Sequence, residues 1–298
     1  MITFKAKTAS GEIIKSALSP FNFPAGEAHL KKEPQRDLEP TEIAIIQPSA
    51  ESLHGDLFQL SMWDAYLTGK TDIKRVLVIP YFPGARADRV SPGVEEPFGL
   101  RAYAEFIGSM MIDQIIIFDP HSPETVKELK LADQGTTVTV VESDELFSLP
   151  HIKEEFESYT GVIAPDKGAV ARSGAVAKSL GVPLYTAEKT RDPETGKLSG
   201  FKLELPDSSF DKDEFFIIVD DICDGGGTFL GLESAIGLGY GKVDLFVSHG
   251  VFSKNAIDNL SGSFEYVYTT NSFNPSRELP DYQFERFDVI RLLLSKIK

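Results

Sequence analysis

Asp220 and Asp221 stand side by side at the end of the apolar run Phe215-Phe216-Ile217-Ile218-Val219, and Ile222-Cys223-Asp224-Gly225-Gly226-Gly227-Thr228 follows. As local structure this is a buried strand, an acid pair, a glycine turn and the start of a helix. Glycines there let backbone amides converge at a helix N-terminus, where the peptide dipoles favour a phosphate. Carboxylates at a strand end suit sugar hydroxyls or a metal. A phosphorylated sugar satisfies both halves of the motif. An ordinary turn capped by Asp224 would use the same glycines, and the paired acids are what separate the two readings.

Further chemistry-bearing residues follow other apolar runs. Arg75–Tyr81 reads as a strand and leads into Phe82-Pro83-Gly84-Ala85-Arg86-Ala87-Asp88-Arg89. Arg86, Asp88 and Arg89 could be a plain surface charge cluster, but they sit at the carboxyl edge where α/β folds bind ligands. Asp119-Pro120-His121-Ser122 follows the next strand, and Ala164-Pro165-Asp166-Lys167-Gly168 follows a third. His121 reads as functional rather than as a helix cap, and His249 as structural. Lys189 and Arg191 open the polar segment Lys189–Lys202, which contains Pro193 and Gly196 and reads as an exposed loop able to move. Near the start, Phe23-Pro24-Ala25-Gly26-Glu27 sets an aromatic beside a carboxylate; phenylalanine alone would read as core.

The elements that must position these residues alternate between Val/Ile/Phe-rich runs and helically spaced stretches, which is an α/β pattern. In the first half, strands are expected at Glu42–Gln47, Arg75–Tyr81, Gln114–Asp119 and Thr137–Val141, with helices at Leu57–Leu67 and Leu100–Met111. In the second half they are expected at Gly161–Ala164, Pro183–Thr186, Glu214–Val219, Lys242–Ser248 and Phe264–Thr269. Each half reads as a parallel sheet covered by helices. With 298 residues the chain is long enough for two domains. The acidic stretch Glu142–Glu157, broken by Pro150, places the boundary near residue 145, giving 1–145 and 146–298.

Composition narrows the function classes. A hydrophobic share of 42% with 25% charged residues is ordinary for a globular protein. No apolar stretch approaches the ~20 residues that span a bilayer. Met1–Lys15 alternates polar and apolar residues and lacks a secretory pattern, so the cytoplasm is the expected compartment. The single cysteine excludes an internal disulfide framework and a cysteine-based zinc cluster. A net charge of −15 argues against nucleic-acid or anionic-membrane partners, so an anionic substrate needs a locally basic or amide-rich site.

The acid pair and glycine loop resemble the phosphoribosyl-diphosphate-binding motif of the type I phosphoribosyltransferase fold. Phe82–Arg89, the Asp119–Ser122 segment, Ala164–Gly168 and Ser248-His249-Gly250-Val251-Phe252-Ser253 resemble, in order along nearly the whole chain, the motifs of the ribose-phosphate pyrophosphokinase family. That resemblance implies two phosphoribosyltransferase-like domains, an ATP-contacting one and a catalytic one with the ribose-phosphate loop. It implies magnesium-dependent transfer of the β,γ-diphosphate of ATP to the C1 hydroxyl of ribose 5-phosphate, with AMP leaving. Phe23, Glu27, Arg86 and Asp88 would contact ATP, and His121 and Asp166 would bind or position Mg2+. Asp220 and Asp221 would hold the ribose hydroxyls. Asp224, Gly225, Gly226, Gly227 and Thr228 would form the phosphate loop. Lys189 and Arg191 match a lysine-x-arginine pair lying over the transferring phosphates, where cations stabilise developing charge. The family's assembly implies a homo-oligomer, dimer or hexamer.

Four positions depart from the family pattern. Ala25 replaces an acid, Gly84 a tyrosine, Ala87 a glutamine and Gly225 a threonine of the phosphate loop. A roomier loop suits ADP-ribose as acceptor, for NAD rebuilding, as well as it suits ribose 5-phosphate. A non-catalytic regulatory homologue is a further reading, opposed by the presence of Lys189, Arg191, His121 and Asp166. A phosphoribosyltransferase that consumes the activated sugar is opposed by the ATP-side elements.

Overall fold

The computed structural model describes residues 1–90, 93, 95–191, 198–204 and 214–298. Contacts divide the chain into two units. The first comprises Met1–Val141 with Ser272–Asn274 and Ile290–Lys298, and the second Glu142–Asn271 with Pro275–Val289.

The first unit runs β1 (Ile2–Lys7), β2 (Ile13–Lys15), β3 (Leu18–Asn22), β4 (Ala28–Lys32), β5 (Thr41–Ile46), α1 (Leu53–Leu67), β6 (Lys74–Val78), α2 (Gly99–Gly108), β7 (Gln114–Phe118), α3 (Glu124–Ala132) and β8 (Thr137–Val141). Its main sheet has the order β2-β1-β5-β6-β7-β8, and β5 to β8 are parallel. In β5, Ile43 to Ile46 are all buried, as expected of a parallel strand covered on both faces. The N-terminal alternation turns out to be strand periodicity: Ile2, Phe4 and Ala6 are buried, and β1 joins β5 antiparallel. A separate antiparallel hairpin, β3 with β4, carries the Phe23–Glu27 turn.

The second unit runs α4 (Ser143–Phe147), α5 (Pro150–Glu155), β9 (Gly161–Ala164), α6 (Val170–Leu180), β10 (Leu184–Arg191), β11 (Leu198–Glu204), β12 (Phe216–Cys223), α7 (Gly227–Ile236), β13 (Val243–Gly250), α8 (Ala256–Ser261), β14 (Val267–Thr270) and β15 (Phe284–Phe287); α9 (Val289–Leu294) follows. The sheet order is β11-β10-β9-β12-β13-β14-β15. All neighbours are parallel except β10 and β11. The chain moves outward from β9 to β10, then returns to the other side of β9 as β12. The carboxyl ends of β9 and β12 therefore flank a topological switch point, where open α/β sheets bind ligands.

Each sheet is mainly parallel, as expected, with antiparallel strands finishing one edge. One expectation needs correction. The Lys189–Lys202 segment is not a loop at its ends: Lys189 pairs with Phe201 and Arg191 with Leu198 in the β10–β11 hairpin. Tyr185, Ala187, Phe201 and Leu203 belong to the second unit's hydrophobic cluster, and this alternate burial is what extends both strands. Pro193 and Gly196 lie outside the described residues.

Candidate active site

In the second unit, strand β12 continues past the expected end at Val219, so Asp220 and Asp221 lie within the strand's last turn of register. Asp221 donates its backbone N–H to Asp220 Oδ1 at 2.9 Å. Arg172, near the start of α6, places Nη1 3.8 Å from a carboxylate oxygen of each acid. Burial, and then the Asp221 carboxylate, push the Asp220 carboxyl above the usual range, while Arg172 pulls it down. Ser173 is buried and donates its hydroxyl to the Val219 carbonyl at 2.8 Å, fastening α6 to β12 one residue before the acids.

Beyond the acids, α7 begins after Gly226, which has φ 77° and no side chain to act as a cap. The segment after β13 braces the loop's entry: Val251 and Phe252 donate their N–H groups to the Cys223 carbonyl, and Ser253 donates to that of Asp224, each at 3.0 Å. Phe252 and Lys254 hold positive φ of 46° and 56°, uncommon for residues with a side chain. Burial, with Asp224 and Asp220 nearby, pushes the Cys223 thiol up, so it stays protonated and is unsuited to act as a nucleophile. His249 is buried on β13, in keeping with a structural role.

Asp166 follows β9. Its Oδ1 accepts the amides of Gly168 at 2.8 Å and Ala169 at 3.3 Å, which orients the carboxylate and starts the turn into α6. Lys167 pairs with Glu188 at 2.9 Å, and a cavity of about 330 Å³ opens among Asp166, Lys167, Gly168 and Glu188. Lys189 and Arg191 lie on β10, parallel to β9, and their side chains fall outside the described residues.

In the first unit the loops after β6 and β7 are neighbours, because Ile79 N–H bonds to Ile116 O at 2.9 Å and Phe118 N–H to Pro80 O at 3.2 Å. Asp88 is buried and takes a 3.0 Å bond from Arg89 Nε, while Arg86 is exposed. Burial alone would raise the Asp88 carboxyl; the Ser122 hydroxyl, Arg89 and the charge of His121 outweigh it and hold it below the usual range. His121 thus acts electrostatically on Asp88. Two residues before it, Asp119 is fully buried at φ 40°, a strained conformation of the kind that clusters at functional sites. Phe23 is 46% exposed at the β3–β4 tip, stacked on His29 at 5.4 Å, so it is not a core residue. Glu27 closes the same turn by accepting the Phe23 amide at 2.9 Å on its carbonyl.

The structure thus gathers Asp166, Asp220, Asp221 and the glycine loop at one sheet edge, and Arg86, Asp88 and His121 at the edge of the other sheet. The sequence reading missed Arg172 and Ser173; it marked Ser248–Ser253 as a motif but not that Val251, Phe252 and Ser253 brace the loop. Arg172 had one sequence signal: it opens the helix that follows a strand-end aspartate. Among the described residues no three His, Cys, Asp or Glu side chains form a metal cage. The Asp166 carboxylate, oriented by the Gly168 and Ala169 amides, is a donor of the kind magnesium takes, since that ion binds through one or two carboxylates plus substrate phosphates.

The phosphoribosyl transferase domain profile matches residues 151–237. The ribose-phosphate pyrophosphokinase of Thermococcus kodakarensis is 31% identical over 255 residues, covering 84% of this chain and 83% of that protein. Its counterpart from Pyrococcus furiosus is 31% identical over 278 residues, covering 90% and 91%. Among solved structures, the phosphoribosylpyrophosphate synthetase of Mycobacterium smegmatis matches with a TM-score of 0.74 at 24% identity, over 94% of this chain and 89% of that one.

Proposed function

The chain belongs to the ribose-phosphate pyrophosphokinase family, a family of ATP-dependent diphosphotransferases, and from that premise we propose how its own residues carry the reaction. The acceptor is ribose 5-phosphate. Asp220 and Asp221 take its ring hydroxyls, and the amides at the start of α7, freed of side chains by Gly225, Gly226 and Gly227, receive the 5′-phosphate with Asp224 and Thr228. The observation that carries this assignment is the acid pair near the carboxyl end of β12, followed by a short glycine loop and a glycine-led helix N-terminus at the sheet's switch point.

On the donor side, Arg86 and Asp88 contact ATP, and Phe23 with Glu27 offers an exposed aromatic and a carboxylate for adenine. The C1 hydroxyl attacks the β-phosphorus in line and AMP leaves. Among the described residues no side chain is assigned as a covalent nucleophile, so rate comes from positioning and charge stabilisation. Lys189 and Arg191 meet the charge that develops on the transferring diphosphate. His121 and Asp166 are the residues that would bind or position magnesium, which would supply neutralisation of phosphate charge.

ADP-ribose is a second acceptor reading, supported by the space at Gly225, where no described atom lies within 4 Å of a would-be Cβ. An assay of ATP and magnesium with either acceptor, scored for AMP and the 1-diphosphate, tests both. AMP formed with ribose 5-phosphate supports the first reading; AMP formed with ADP-ribose alone replaces it with the second. No AMP with either acceptor overturns both and leaves a non-catalytic homologue.

A further inference from the structure

Two adjacent carboxylates repel each other, and an anionic acceptor brought against them adds to the repulsion, more so as water is excluded. The described residues hold a compensating group that no motif singled out. Arg172 Nη1 is equidistant from the two acids, 3.8 Å from Asp220 and 3.8 Å from Asp221. The Arg172 side chain is 12% exposed, so its charge is far less screened than that of a surface pair. Its place is set on both sides. The Ser173 hydroxyl fastens α6 to the Val219 carbonyl immediately before the acids, and Asp166 fixes the turn that starts α6.

We infer that Arg172 is a positioning residue for the acceptor: it holds Asp220 and Asp221 together, oriented to receive the sugar's hydroxyls. The inference rests on the reading of those two acids as the hydroxyl-binding pair. A guanidinium suits the task because its planar fork carries delocalised charge that one fixed group presents to two carboxylates at once; an ammonium supplies the charge without the fork. Neutralising Arg172 removes the guanidinium that both acids face, so the loss falls on the acceptor and not on ATP.

Steady-state kinetics with ribose 5-phosphate and magnesium ATP varied in turn test this on Arg172→Gln, Arg172→Lys and Asp221→Asn, with melting temperatures measured alongside. Arg172→Gln is expected to raise KM for ribose 5-phosphate about ten-fold or more and KM for ATP less than about two-fold. Arg172→Lys is expected to recover about half of that loss on a logarithmic scale. An acceptor KM in the glutamine variant that stays near wild type, a parallel rise for both substrates, or a lysine variant no better than the glutamine one overturns the inference. Should the glutamine variant not fold, the lysine variant decides: a rise confined to the acceptor supports the role, and no rise or a parallel rise refutes it. Asp221→Asn separates the two levels. If it fails to weaken ribose 5-phosphate selectively, the reading of the acid pair is wrong; if it does so while Arg172→Gln does not, only the role of Arg172 is wrong.

Discussion

Two strand-end loops, residues 82–89 after β6 and 224–228 after β12, each carry glycine where the family pattern has a larger residue, and the structure gives the two glycines different meanings. Gly84 has φ +72°, and a Cβ built there would stand 2.7 Å from the Tyr103 ring and 3.3 Å from the Gly99 carbonyl. That loop is closed by packing. Gly225 lies outside the left-handed region and has no described neighbour within 4 Å. The second loop is open. In sequence both changes read as a lost side chain; in the fold one is a backbone requirement and the other leaves usable space.

The comparison predicts that the second unit's polar residues govern rate while the first loop's glycine governs stability. Its largest effect is expected on β10. Lys189→Ala or Arg191→Ala should each lower turnover by about 10²-fold or more with melting temperature little changed, because each is assigned to transition-state charge. Near-normal turnover in both variants removes them from the mechanism.

Gly84→Ala should then cost about 2–3 kcal/mol, from left-handed strain and the clash with Tyr103, seen as a melting point lower by roughly 5–10 °C. Gly225→Ala should stay within about 0.5 kcal/mol of wild type. Equal melting points for the two alanine variants would erase the distinction between a closed and an open loop.

A pH series sharpens the same contrast. Burial, and then the Asp221 carboxylate, raise the Asp220 carboxyl above the ordinary aspartate range in the folded chain, so the folded state binds the proton more tightly than the unfolded one. Stability from this group is therefore present below its unfolded value and is lost as pH rises from about 4 through the raised folded value. For Asp88, held below its ordinary value, the sign is opposite: its contribution is present above the unfolded value and is lost as pH falls through the folded one. Without ligands, Asp220→Asn should flatten the decline in melting temperature above pH 4, and Asp88→Asn should flatten the acid limb. A decline unaltered in Asp220→Asn would show that the pair is not the source.

The smallest effect concerns acceptor choice. Gly225→Thr is sterically admissible, so the regained hydroxyl should improve ribose 5-phosphate affinity by about 0.5–1.5 kcal/mol if it reaches the 5′-phosphate. With ADP-ribose the same side chain should obstruct the larger 5′ substituent and lower that activity selectively. An unchanged ratio of the two activities in a stable variant would mean that position 225 does not select the acceptor.

By itself the sequence determined what is local. Residue types at fixed spacing, such as the acid pair with its glycine turn, marked the candidate phosphate site proposed after β12, and apolar runs such as Gln114–Phe118 marked the strands beneath the loops. Ordered motifs over most of the chain determined the reaction type. Only the tertiary structure decided what depends on neighbours distant along the chain. Arg172 meets Asp220 and Asp221 because β9 and β12 pair side by side and Ser173 bonds across to Val219. The β10–β11 hairpin exists because Ala187 and Phe201 share one core, although their segment reads as polar. Gly84 is constrained by a ring on α2, and Gly225 meets no described atom beyond its chain neighbours within 4 Å, a difference that spacing along a chain does not encode because it is a property of the space around each Cα.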